Sequence, residues 1–125
     1  MPIVGIGIDA VEVERIRSML ERYGNRFINK IFQPEEATYC MSQHDPAQHF
    51  AARYAAREAF AKALGTGFVG ISWRDISVVR DSGGVPRVCL YGAAAKVASK
   101  RGVKRVWLSL THTNTLAIAV VVLEG

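Results

Sequence analysis

The 125-residue chain predicts an α+β domain, an antiparallel sheet with a long central helix packed on it. Three observations lead there. The chain opens on a segment whose apolar residues alternate with period two, and period two returns from residue 71, the signature of strands. Residues 50–67, FAARYAAREAFAKALGTG, are rich in Ala, Arg, Glu, Lys and Leu, with no proline and no glycine before Gly65. These are strong helix formers, and this is the densest helical stretch of the chain. Finally, the first strand carries glycines on one face and the helix carries alanines on one face, so the two can pack at short distance.

Taken in order, residues 3–11 read as a strand. Val4, Ile6, Ile8 and Ala10 alternate onto one face, expected to be a core face, and Gly5, Gly7 and Asp9 fall on the other. The Gly-x-Gly lacks the third glycine and the helix timing of a dinucleotide-binding loop. Residues 12–22 follow as a helix with Val13, Ile16, Met19 and Leu20 on one side and Arg15, Arg17 and Arg22 outward; Arg26 and Lys30 continue the basic surface. Residues 27–32 form a short apolar helix. Pro34 then opens another helix, reaching about residue 42, with Glu35 and Glu36 at its positive end. The HDPAQ segment is a break, and the main helix runs from about Ala47 to a stop at Gly65 and Gly67. His44 and His49, in no metal-like spacing, read as surface residues.

From residue 71 the period becomes two. Ile76, Val78 and Arg80 share a face, residues 81–84 turn, and residues 86–90 return as a strand with Pro86 at an edge or a strand start. Residues 91–101 are helical, with Lys96, Lys100 and Arg101 outward. Residues 106–110 and 116–123 are strands around the polar turn 111–115. The last strand is apolar on both faces and therefore central in its sheet.

The length fits one domain spanning residues 1–125, and a hydrophobic content of half the residues suffices for its core. Sixteen Lys and Arg against eleven Asp and Glu give a net charge of +5, which favours an acidic partner. Nucleic acid, anionic lipid, a phosphorylated metabolite and an acidic protein all meet that description. Cys40 and Cys89, far apart and in no metal or redox spacing, fit a reducing cytoplasm. The N-terminus lacks the basic and apolar regions of a signal peptide, and no segment approaches the ~20 apolar residues of a membrane span. A nucleic-acid module would interleave aromatics with its basic residues, whereas Trp73 and Trp107 lie in strands or beside a turn. A thioester hydrolase would need a nucleophile elbow, and none is present.

The chemistry concentrates where strand and helix meet. At ~100° per residue, Glu58 and Lys62 fall on the helix face that carries Ala51, Ala55 and Ala59. If that face packs on Gly5 and Gly7, Asp9 comes up to Glu58. Two converging, half-buried carboxylates need a shared proton, a cationic partner or a metal. Oxygen-only ligation suits Mg²⁺, which combines one or two carboxylates with substrate phosphates and waters. Lys62 beside them is placed to hold a phosphate. The alternative reading is an ordinary Glu58–Lys62 pair with Asp9 capping the next helix. His112, on the turn among threonines and Asn114, is either structural or part of a grip on phosphate or ribose.

The segments GIGIDAVEVERI, ARYAAREAFAKALGTG and SLTH, in this order and separation, resemble the holo-acyl-carrier-protein synthases, the small bacterial type of 4′-phosphopantetheinyl transferase. The resemblance covers nearly the whole chain and is loosest between Arg22 and Phe50. It implies the 4′-phosphopantetheinyl transferase fold, a homotrimer with active sites at subunit interfaces, and a role in fatty acid or polyketide biosynthesis. It also implies transfer of 4′-phosphopantetheine from coenzyme A to a serine of acyl carrier protein, releasing adenosine 3′,5′-bisphosphate. Nucleic acid and membrane are then not partners. By the same resemblance Asp9 and Glu58 match the Mg²⁺ ligands and Lys62 the lysine near the pyrophosphate; for that reaction the serine proton needs a base, and Glu58 acting through a water is the expected one. Arg53, Pro86, His112 and Thr113 match residues of the coenzyme A pocket, and Gly65 the glycine close to the nucleotide. Arg15, Arg22 and Arg26 match basic positions that meet the carrier protein. Arg53 and Glu58 lie about 140° apart around an ideal helix. Either coenzyme A wraps around the helix, or Arg53 serves a ligand on a neighbouring subunit.

Overall fold

A computed structural model describes residues 2–125. The chain runs β1 (Ile3–Glu12), α1 (Val13–Tyr23), α2 (Asn25–Ile31), α3 (Pro34–Met41), α4 (Pro46–Leu64), a 3-10 turn (Trp73–Asp75), β2 (Ile76–Arg80), β3 (Pro86–Leu90), α5 (Gly92–Lys100), β4 (Arg105–His112) and β5 (Leu116–Glu124). The main sheet is antiparallel with order β1-β5-β4; β2 and β3 form a separate antiparallel hairpin. The apolar strand β5 is central, as its two-sided hydrophobicity predicts. Expected and observed element ends differ by one or two residues, with two informative exceptions. Pro46 occupies the first turn of α4, where a missing N–H costs nothing, so the helix begins inside the expected break. His112 still pairs with Ala117, so it ends β4 instead of lying in the turn.

Helix α4, 19 residues long, lies across one face of the sheet against β1 and β5. The approach is as close as the glycines predicted. A Cβ built on Gly5 would stand 1.9 Å from the Ala63 carbonyl oxygen, and one on Gly7 would stand 2.0 Å from that of Ala59. No side chain fits between strand and helix there. The helix ends on Gly65, whose φ of 84° lies in the left-handed region that favours glycine.

The same contact reverses one expectation. The face of β1 bearing Gly7 and Val11 is the buried one, while Ile6 and Ile8 are 67% and 61% exposed. Alternation identified the two faces correctly, but α4 takes the glycine face because only that face admits a backbone at this distance. The aliphatic row Val4, Ile6, Ile8 is therefore left on the open side of the sheet, in register with Val120 and Val122 of β5 and with Trp107 of β4.

Behind α4, Arg57 and Glu36 form a fully buried ion pair. The Glu36 carboxylate accepts from Arg57 Nη1 at 3.0 Å, from the Gln33 backbone N–H at 3.0 Å and from the Val78 N–H at 2.9 Å. Arg57 Nε donates to the Trp73 carbonyl at 2.9 Å, and its guanidinium lies over the Phe32 ring. Both charges are thus satisfied, which is the condition for burying them. This pair ties α3, α4 and β2 together. Arg17, read as part of the exposed basic face, instead makes a two-pronged bond to Asp45 at 2.9 and 3.0 Å and joins α1 to the start of α4.

Candidate active site

Two clusters of functional side chains flank α4, at opposite edges of the sheet. At the β1 edge, Lys62 Nζ donates to Asp9 Oδ1 and to the Ile8 carbonyl, both at 3.1 Å. Lys62 therefore pairs with Asp9 and not with Glu58. Asp9 caps no helix either, because α1 starts four residues later without a side-chain cap. The half-buried Glu58 carboxyl holds its proton more tightly than usual, first because burial penalises its charge and second because Asp9 repels it. Lys62 and Arg15 partly offset this. Asp9 and Glu58 thus converge as the glycine–alanine packing required. Gly65 closes the helix one residue beyond Leu64, on the Lys62 side of the molecule. Among the described residues no group of three or more His, Cys, Asp and Glu side chains is placed to hold a metal. The donor set at this edge is two carboxylates, the number that suits an Mg²⁺ sharing its shell with waters and substrate oxygens.

At the β4 edge lies a cavity of about 370 Å³ lined by His49, Arg53, Arg80, Pro86, Thr111 and His112 among others, with no carboxylate in its wall. Arg53, only 2% exposed, donates from Nη1 to the His49 carbonyl at 3.3 Å, and its buried Nε has no partner. The guanidinium groups of Arg53 and Arg80 both lie over the Tyr39 ring, 4.7 and 5.1 Å from its centre. The His49 and His112 rings are 5.3 Å apart. Burial, then the charge of Arg53, lowers the proton affinity of His49, so it is neutral near pH 7. A buried guanidinium with an unmade bond, facing a cavity walled by cations and imidazoles, is a site that calls for an anion.

The structure sorts the expected residues accordingly. Asp9, Glu58 and Lys62 are brought together with Gly65 nearby. Arg53, Pro86 and His112 are brought together elsewhere, as the helical angle between Arg53 and Glu58 required. Thr113 does not line the cavity. Its hydroxyl accepts the N–H groups of Thr115 and Leu116 at 3.2 and 3.0 Å and so shapes the turn. His49 is half-buried in the cavity wall, not a surface residue as expected; its position four residues before Arg53, on the same helix face, was the available signal. Arg80 was also missed as a site residue, although its alternation with Ile76 and Val78 placed a cation on an inward register. Arg15, Arg22 and Arg26 are all exposed. Arg26 borders a shallow cavity of about 310 Å³ with Met19, Tyr23, Phe27 and Lys30, and Arg22 lies 6.0 Å over the Tyr23 ring.

The fold is that of a known class. The chain belongs to the 4′-phosphopantetheinyl transferase superfamily, whose family model matches residues 5–121. Within it, the relatives are holo-[acyl-carrier-protein] synthases, the enzyme type expected from the sequence. The one from Koribacter versatilis is 46% identical over 123 residues, covering 98% of each chain. The crystal structure of the Neisseria meningitidis holo-[acyl-carrier-protein] synthase matches with a TM-score of 0.91 at 37% identity, covering 99% of this chain and 100% of that one. That of the Helicobacter pylori enzyme, in complex with coenzyme A, matches with a TM-score of 0.84 at 28% identity, covering 95% and 99%. The α+β fold with an antiparallel sheet is common to them.

Proposed function

We propose that this chain transfers the 4′-phosphopantetheine group of coenzyme A to a serine of apo acyl carrier protein, in a homotrimer whose active sites are shared between subunits. The observation that carries the reading is the division of charge across the fold. Paired carboxylates with a lysine stand at the β1 edge, and a buried, under-bonded arginine stands at the β4 edge. On one chain the two stand at opposite edges of the sheet, and two neighbouring chains can offer one half each to a single anionic ligand. The open aliphatic face of β1 and β5 supports such an assembly, since a contiguous apolar sheet face is a surface that seeks cover.

In this reading Asp9 and Glu58 hold Mg²⁺, which when bound neutralises charge developing on the pyrophosphate oxygens. Lys62 Nζ, already poised between Asp9 and the Ile8 carbonyl, orients and stabilises the phosphate of the transferred group. Glu58 accepts the serine proton by way of water. Arg53, with His112 and Pro86, receives anionic groups of coenzyme A bound to the neighbouring subunit. Gly65 lets the nucleotide approach the end of α4. Arg15, Arg22 and Arg26 dock the acidic carrier protein, with the apolar wall of Met19 and Phe27 beneath them. The product then serves fatty acid or polyketide biosynthesis in the cytoplasm. No helix among the described residues is long and apolar enough to cross a membrane.

The test is mass spectrometry of apo acyl carrier protein incubated with this protein, coenzyme A and Mg²⁺. A gain of one phosphopantetheine, abolished by EDTA, is expected. No gain with a carrier protein that a related synthase modifies refutes the activity, and a gain insensitive to EDTA refutes the metal assignment.

A further inference from the structure

Three aromatic rings form a column beside the β1-edge cluster. Phe68, in the loop after Gly65, stacks on Trp73 with ring centres 3.9 Å apart and planes 17° apart. Trp73 stacks on Tyr54 at 4.8 Å and 26°. The exposed Arg15 caps the column from α1. Its guanidinium carbon lies 5.4 Å from the Tyr54 ring centre, and its Nη2 donates to the Tyr54 hydroxyl at 3.4 Å. Tyr54 itself is 8% exposed and lies one helical turn before Glu58 on α4. A long exposed arginine ordinarily samples many rotamers, and ordering it on binding costs affinity. Here it is held in advance, on the helix that carries Glu58 and Lys62.

We propose that Tyr54 is a positioning residue for carrier-protein recognition: backed by Trp73 and Phe68, it fixes the Arg15 guanidinium relative to Glu58, so that an acidic partner is captured in register with the reacting groups. This rests on Arg15 being a docking residue, as proposed above. In this proposal Tyr54, nearly buried, takes no direct part in docking. Its effect passes through Arg15, by cation–π contact and one hydrogen bond.

The experiment measures KM for apo carrier protein and for coenzyme A, at several salt concentrations, in wild type, Arg15→Ala, Tyr54→Leu, Tyr54→Phe and the double variant Arg15→Ala/Tyr54→Leu. Tyr54→Leu is expected to raise KM for the carrier protein about 2–5-fold, the range of a surface cation–π contact, with KM for coenzyme A within about twofold of wild type. Its salt dependence should flatten towards that of Arg15→Ala, and the double variant should be no worse than Arg15→Ala alone. Tyr54→Phe keeps the buried ring, so it stays folded even if Tyr54→Leu does not, and it should recover most of the carrier affinity. A Tyr54→Leu effect fully additive to that of Arg15→Ala overturns the inference and leaves the docking reading standing. So does a wild-type KM and salt slope in Tyr54→Leu, or, should that variant not fold, a carrier KM in Tyr54→Phe raised as far as in Arg15→Ala. A wild-type carrier KM in Arg15→Ala overturns both.

Discussion

Gly7→Ala adds one methyl group where the structure has none to spare. The new Cβ would lie 2.0 Å from the Ala59 oxygen and 2.8 Å from the Ala63 nitrogen. Both are backbone atoms of α4, so no side chain can swing aside. Relief to about 3.0 Å requires strand and helix to part by about 1 Å. Overpacking of this kind costs about 1–3 kcal/mol, against about 0.4–1 kcal/mol that alanine recovers by restricting the unfolded chain, so destabilisation wins. For a domain of this size the melting point should fall by roughly 3–10 °C. The same movement withdraws Asp9 from Glu58 and Lys62. A 1 Å misplacement of reacting groups can cost about 10²-fold in rate, so activity should fall further than stability explains. Gly83→Ala is the control: its Cβ would meet only Asp81 Oδ1 at 3.4 Å, an ordinary contact, and should change stability by less than about 0.5 kcal/mol. Thermal denaturation and a carrier-protein modification assay read both effects. A Gly7→Ala protein that melts with wild type and turns over at the wild-type rate would show that backbone contact does not set this spacing.

Other outcomes follow from the same geometry. The Glu58 carboxyl titrates above its ordinary value near 4.5, so it favours the folded state at low pH and that favour is lost as pH rises through the folded-state titration. Glu58→Gln should therefore match wild type near pH ~4 and become the more stable protein by pH ~7, while losing transfer; parallel stability curves across that range contradict the repulsion by Asp9. Arg57→Ala strands the Glu36 carboxylate in the core and should cost about 3–5 kcal/mol in urea denaturation, with a loss under about 1 kcal/mol refuting the pairing. Ile6→Asp, on the open sheet face, should yield monomers by sedimentation, and an unchanged oligomer would move the interface elsewhere. Arg53→Ala and Glu58→Ala, each inactive, should regain about a quarter of wild-type activity when mixed equally and allowed to reassemble, because a quarter of the shared sites are then intact; no recovery places both halves of the site on one chain.

The β1-edge site was legible because its cause is steric and local. Two glycines on one strand face and a run of alanines on one helix face suit backbones in contact, and that contact brings Asp9 to Glu58. The other face of β1 was misread because alternation shows that two faces exist but not which one is covered; the aliphatic face looked like core and is open on the single chain. Arg53 and Arg57 show a similar limit. Both fall beyond the apolar stripe of α4, yet both are buried, Arg57 because Glu36 arrives from another helix and Arg53 because Tyr39 and His49 enclose it. His49 apart, such pairings join residues distant in sequence, and no periodicity announces them. The helical angle between Arg53 and Glu58 did anticipate that the expected coenzyme A residues would separate from the carboxylates.

The strand–helix contact also acts as a ruler. Most active sites inherit their dimensions from side-chain packing, which drifts as cores are repacked. Here the gap between the elements carrying Asp9 and Glu58 is set by main-chain oxygens meeting main-chain carbon, the least compressible spacer a protein has. The surrounding core can exchange leucines, valines and phenylalanines over evolutionary time without retuning the carboxylate pair, provided positions 5 and 7 stay glycine. For an engineer the corollary is practical: stabilising changes can be sought in the apolar core away from the Arg57–Glu36 pair, and the surface to leave untouched is the one with no side chains on it.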